Sequence, residues 1–181
     1  MTTSTASKSK FLSYVLRHRP ESIGLNLDKQ GWADVPELLA KAQADGTSIT
    51  LDELRDIVAT NDKKRFVLNE DASRIRAAQG HSVDVDLKLP VKAPPPVLYH
   101  GTVGKFVASI RKQGLLPGTR HDVHLSADTA TATKVAQRRG RPVILVIETY
   151  PLVRDGFQFR QSDNGVWLVP NVPAKYIKFP E

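Results

Sequence analysis

The chain predicts an α+β protein in two lobes, and three features of the sequence carry that prediction. Apolar residues at helical spacing dominate the first sixty positions. Short β-branched and apolar runs dominate after position 97. Between them lies Leu89-Pro90-Val91-Lys92-Ala93-Pro94-Pro95-Pro96, where four prolines fall in seven residues. Proline removes a backbone donor and keeps its predecessor out of the α region. Residues 90–96 are therefore expected as a semi-rigid extended linker between a first lobe over 1–89 and a second over 97–181.

The first lobe opens on Ser9-Lys10-Phe11-Leu12-Ser13-Tyr14-Val15-Leu16-Arg17-His18-Arg19-Pro20. Phe11, Leu12, Val15 and Leu16 share one helical face. Pro20 ends the helix at Arg19, and Ser7 or Ser9 is the expected cap. Residues 1–7 are tail-like and expected to be disordered. A loop with an extended piece at 24–27 follows. Asp34-Val35-Pro36-Glu37 and Thr50-Leu51-Asp52-Glu53 each read as a capping box. They open helices whose buried faces are Leu38, Leu39, Ala42 and Ala44 in one, and Leu51, Leu54, Ile57 and Val58 in the other. Strands are expected at 66–69 and 74–78 around a turn at 70–73. Three helices followed by a hairpin is the order of a winged helix.

The second lobe begins with a strand at Val97–His100, a helix over 104–113 stopped by Gly114, and a strand near 123–126. A helix capped by Asp128 then runs to Arg139, and an apolar β-branched run at 143–147 reads as a central strand. Short strands follow at 157–160, 166–169 and 175–179. This is a β-rich lobe with two inserted helices.

Composition narrows the function. The chain has 181 residues, 40% hydrophobic and 25% charged, as in a soluble globular protein. No apolar run approaches the roughly 18–20 residues of a membrane span, and the Thr/Ser-rich start has no apolar segment of a signal peptide. With no cysteine, disulfides and thiolate metal sites are excluded, which fits a cytoplasmic protein. The net charge is +7 and the pI near 9.7, which favours a polyanionic partner. Residues 1–90 carry 13 Lys/Arg and 13 Asp/Glu, and residues 91–181 carry 13 and 6. The excess thus lies wholly in the second half, and nucleic-acid binding by the first half must rest on local clusters.

Two cationic clusters stand out there. Arg17 and His18 end a helix, where they either neutralise the negative dipole end, worth about 0.3–1 kcal/mol each, or grip an anion through a planar fork and a tunable donor. Lys63-Lys64-Arg65 is either a solvated turn or a phosphate contact. In the second half, Tyr99-His100-Gly101-Thr102 and Val123-His124-Leu125-Ser126 end strands in polar groups. Glycine there would let the backbone approach a nucleotide. Neither a Rossmann nor a P-loop glycine pattern is present. His121 and His124 have no carboxylates at ligand spacing, so no metal site is expected.

Ser9 to His18 resembles the S-K-x-L-S-x-x-L-R-H motif that opens the NAD-dependent RNA 2′-phosphotransferases. Asn61-Asp62-Lys63-Lys64-Arg65-Phe66 resembles that family's second motif, N-D-x-x-R-F. Tyr99–Thr102 and Val123–Ser126 resemble the two NAD-gripping strand ends of the ADP-ribosyltransferase fold. Asn164-Gly165-Val166-Trp167-Leu168 is similar to a further family segment, in which Gly165 reads as a turn and Trp167 as core. The resemblance implies that Arg17, His18, Arg65 and Arg120 act on an RNA 2′-phosphate. It implies that His100, Gly101, Thr102, His124 and Ser126 hold NAD as co-substrate. The implied reaction runs through an ADP-ribosylated RNA 2′-phosphate and yields 2′-hydroxyl RNA, ADP-ribose 1″,2″-cyclic phosphate and nicotinamide. The expected partners are RNA bearing a 2′-phosphate and NAD, with no membrane and the chain a monomer. Rival readings are an ADP-ribosyltransferase acting on RNA phosphate termini, a non-catalytic winged-helix nucleic-acid binder, and an NAD-binding regulator.

Overall fold

Helix α1 begins at Thr5, inside the stretch 1–7 expected to be disordered, because Ser4 caps it. In the computed structural model, which describes residues 4–61 and 63–180, α1 spans Thr5–Arg17 and the Ser4 side chain accepts from the Ser7 N–H at 3.2 Å. Ser7 and Ser9 are therefore not caps; they lie inside the helix, and Ser9 faces the interior. Leu12, Val15 and Leu16 are fully buried and Phe11 packs beside them, a face that stabilises the unit by about 1.5–3 kcal/mol per side chain. The last helical residue is Arg17, with His18 as C-cap. Pro20 opens a 3-10 turn, Pro20–Ile23, closed by a left-handed Gly24. Of the piece expected to be extended at 24–27, Gly24 belongs to that turn and residues 25–27 join no sheet.

The mixed α and β content expected of the chain is present. The chain divides after Lys88 into two compact units. In the first, α1 is followed by strand β1 (Ala33–Asp34), α2 (Val35–Ala44), α3 (Leu51–Thr60), β2 (Phe66–Leu68) and β3 (Arg74–Ala77). Asp34 caps α2 by accepting from Glu37 N–H at 3.0 Å, and Thr50 caps α3 by accepting from Glu53 N–H at 3.1 Å. Only Thr50 and Glu53 also join side chain to side chain, at 3.3 Å; the Glu37 carboxylate turns instead to Lys41 and Asn26. Leu38, Ala42, Leu54 and Ile57 are buried as expected. Leu51 is 39% exposed and Ala44 is at the surface, since each sits at a helix end that rotates away from the core. The sheet runs β1-β3-β2, all antiparallel; the two-residue β1 is too short to leave a sequence pattern.

The second unit contains β4 (Val97–Val103), α4 (Gly104–Gln113), β5 (Val123–Leu125), α5 (Thr129–Gln137), β6 (Pro142–Glu148), α6 (Thr149–Arg154), β7 (Arg160–Gln161), β8 (Trp167–Val169) and β9 (Ile177–Lys178). It holds two antiparallel sheets, β4-β6-β9 and β5-β8-β7. Strand β4 is longer than expected and pairs with β6 over all seven of its residues. A third helix, α6, was not foreseen: Pro151 masks it in the sequence, yet it sits in the first turn, where proline is tolerated. Residues 89–96 do not stand free as a spacer. Lys92 N–H donates to Phe159 C=O at 2.8 Å, and Arg160 Nε donates to Leu89 C=O at 3.1 Å. The Thr149 N–H donates to Pro96 C=O at 3.0 Å.

Gly101 shows how tightly α5 lies on β4. A Cβ at this position would stand 2.0 Å from the Ala132 carbonyl oxygen and 3.1 Å from the Ala136 Cβ. The glycine thus admits a helix, a close approach that the sequence did not announce. Gly101→Ala should destabilise the chain by at least the roughly 1–3 kcal/mol of an overpacked core, read as a lowered urea midpoint with an unchanged slope.

Candidate active site

Arg17 and His18 lie at the carboxyl end of α1, where the helix leaves carbonyls without intrahelical partners. The Arg17 carbonyl is taken up by Ser82 N–H at 2.9 Å and Val83 N–H at 3.4 Å. The Ser82 hydroxyl then meets His18 Nδ1 at 2.9 Å. Both Arg17 and His18 are half-buried.

Arg65 is held by the residue that begins its motif. Asn61 C-caps α3, and its Oδ1 accepts from both Lys63 and Arg65 N–H at 3.2 Å. Its Nδ2 donates to Ser9 Oγ on α1 at 3.4 Å. Lys64 adopts a left-handed conformation, φ 46°, which turns the chain into β2. Asp62 of this motif lies outside the described residues. The Arg65 carbonyl accepts from Ala78 N–H at 2.8 Å. One five-residue segment, 78–82, is thus bonded at one end to Arg65 and at the other to Arg17 and His18. No local signal marked Ser82, which is 64 positions from its partner His18. Asn61 stood in the sequence only as the first residue of its motif; its side chain acts here as an Asx-turn former.

In the second unit the two strand-end motifs, 24 residues apart in sequence, touch directly. Tyr99 and Ser126 exchange backbone hydrogen bonds, N–H to C=O both ways, at 2.8 Å. His100 Nδ1 lies 3.0 Å from the His124 carbonyl. Arg120 Nη1 donates to His124 Nδ1 at 3.1 Å. Thr102 is buried. Gly165 has a positive φ and turns the chain, and Trp167 is core, as read from the sequence. His121 is exposed.

These partners set the ring protons. A carbonyl only accepts, so His100 carries its proton on Nδ1 and, when neutral, offers a lone pair on Nε2. A guanidinium only donates, so His124 must accept at Nδ1 and carry its proton on Nε2. One neutral ring is an acceptor and its neighbour a donor. Burial pushes the His100 pKa below its ordinary 6.5; its bond to the His124 carbonyl opposes this in part, and the Arg139 charge adds a smaller push downward. Burial and Arg139 likewise weigh against the Arg120 cation. Arg139, just beyond α5, was not singled out from the sequence. Among the described residues no group of three or more His, Cys, Asp or Glu could hold a metal ion, and no helix is long and apolar enough to cross a membrane.

Comparison with known proteins decides the family. Residues 3–171 match the family model described as RNA 2′-phosphotransferase, Tpt1 / KptA family. The chain belongs to this family. It is 80% identical over 172 residues to a probable RNA 2′-phosphotransferase of Burkholderia pseudomallei, covering 95% of this chain and 94% of the relative. A probable RNA 2′-phosphotransferase of Agrobacterium fabrum is 59% identical, with 96% and 93% covered. One of Streptomyces coelicolor is 53% identical, with 97% and 96% covered. The chain is thus an enzyme of the transferase class.

The lowered His100 pKa has a sign. Its folded value lies below its unfolded one, so the unfolded chain binds the proton first. The stability this group contributes is complete above pH 6.5 and is lost as pH falls through the lower folded value. Urea unfolding from about pH 7.5 to about pH 5 should show stability falling with pH, and His100→Asn, which keeps a donor at the Nδ1 position, should flatten that slope.

Proposed function

We propose that this protein is an NAD-dependent RNA 2′-phosphotransferase acting in the cytoplasm as a monomer, with the first unit a winged-helix RNA-binding lobe and the second an ADP-ribosyltransferase-like NAD lobe. The helix–helix–helix–hairpin order of the first unit and the paired strand-end motifs of the second support the lobe assignments. The observation that carries the reading is the second of these. Two separate motifs are stitched side by side through Tyr99 and Ser126, with a donor imidazole and an acceptor imidazole at the seam.

That pair fits vicinal ribose hydroxyls, each of which has one proton to donate and lone pairs to accept with. NAD supplies the ribose carbon that takes the RNA phosphate and the nicotinamide that leaves. The phosphate remains anionic throughout and gains charge on its oxygens when the ribose 2″-hydroxyl displaces the RNA 2′-oxygen. Arg17, Arg65 and Arg120 bind and neutralise it, with preorganised electrostatic stabilisation as the main contribution. His18 adds a donor to the same anion or moves a proton at the 2′-oxygen. His100, Thr102, His124 and Ser126 line the NAD subsite, and Gly101 serves it by seating α5 against β4.

The second reading, ADP-ribosylation of an RNA phosphate that stops after the first step, differs only in its product. The test is an end-labelled oligonucleotide with one internal 2′-phosphate, incubated with the protein with and without NAD. NAD-dependent loss of the phosphate is expected, and Arg65→Ala should slow it by about tenfold to several hundredfold, the loss of a charge-assisted bond of about 1.5–3 kcal/mol. A stable, slower-migrating RNA would assign the one-step reaction instead. RNA left unchanged with NAD intact would overturn both.

A further inference from the structure

Ser82 plays no part in either motif, yet it touches both residues that end α1. Its N–H holds the Arg17 carbonyl at 2.9 Å, and its hydroxyl lies 2.9 Å from His18 Nδ1. Its neighbour His81 is 2% exposed and anchors the segment in the interior. At the other end, Ala78 is bonded to Arg65.

We propose that Ser82 is a positioning residue for His18, holding the ring by Nδ1 so that Nε2 is the nitrogen turned to the RNA 2′-phosphate. This rests on the reading above, in which His18 acts on that phosphate. The chemistry of the partner matters. A carboxylate at Nδ1 would favour the charged ring, and a carbonyl would fix the Nδ1–H form, as at His100. A hydroxyl rotates to donate or to accept. It therefore fixes where the ring points without fixing its charge. Nε2 carries a proton both in the imidazolium and in the neutral form that accepts from Ser82. In those two forms His18 is a donor toward an anion, whereas the neutral form that donates Nδ1–H to Ser82 offers a lone pair there instead.

A merely structural role would rest on the Ser82 N–H, which alanine keeps. The hydroxyl is what the proposal needs, so the side chain can be tested apart from the backbone. In the full chain without substrate, nitrogen-resolved NMR of the imidazoles should show the His18 ring signals moving in Ser82→Ala and staying in place in Ser82→Thr. With 2′-phosphorylated oligonucleotide and NAD at saturation, Ser82→Ala should lower kcat by about 10–100-fold, the usual worth of an outer partner that orients a working imidazole. KM for RNA should change less than kcat, Ser82→Thr should restore the rate, and Ser82→Ala should add nothing in a His18→Ala background. Unmoved ring signals in Ser82→Ala would overturn the proposal, as would an equal loss of rate with and without His18. Should Ser82→Ala not fold, Ser82→Thr decides: loss of its rate or of the native ring signals would overturn the proposal. A moved ring together with a His18→Ala enzyme of full activity would overturn the role given to His18 while leaving the contact standing, so the two failures are told apart.

Discussion

The proposed RNA site depends on holding a phosphate at the wrong end of a helix. The carboxyl terminus of α1 carries partial negative charge and presents carbonyls, not donors. Backbone amides, which cradle phosphates at helix amino termini, are unavailable there. Side-chain cations must do the work, and they must first outweigh the dipole. The structure meets this constraint by occupying the last carbonyl with the N–H groups of Ser82 and Val83. Arg17 and His18, both half-buried, then extend from a fixed end. Arg65 joins them through a turn that Asn61 organises and a strand end that leads into the same segment. None of these bonds is strong alone, at about 0.5–1.5 kcal/mol net; together they fix three side chains that no single element could place.

Three histidines show how one residue type acquires different chemistry from its Nδ1 partner. At His100 the partner is a carbonyl, at His124 a guanidinium and at His18 a hydroxyl. The first leaves an acceptor at Nε2, the second a donor, and the third a ring oriented but free to change its charge. In the second unit the result is a neutral pair suited to sugar hydroxyls, and in the first a ring held by a hydroxyl.

Much of this was legible in the sequence, for local reasons. Capping side chains announced α2, α3 and α5, and the β-branched run 143–147 announced β6. The Val-His-Leu-Ser strand end was visible as the polar termination of an apolar run, whereas Tyr-His-Gly-Thr, expected to end a strand, lies within β4. Other features were hidden because their causes are long-range or too short to have a period. Ser4 caps α1 within a stretch whose composition resembles a tail. Strand β1 is two residues long, and α6 hides behind Pro151. Gly101 looked like a nucleotide contact because glycine is permissive in any setting, and only the Ala132 carbonyl reveals which close approach it serves. Ser82 could not be found from sequence, since its two bonds reach back 64 and 65 positions.

The central claim is that the cations of the first unit recognise the 2′-phosphate itself. Equilibrium binding, without NAD, of two oligonucleotides that differ only in one internal 2′-phosphate or 2′-hydroxyl tests it most directly. The phosphorylated strand should bind at least about tenfold more tightly, the worth of one charge-assisted hydrogen bond, and Arg17→Ala should close most of that gap. Equal affinity for the two strands in the wild-type protein would contradict the account.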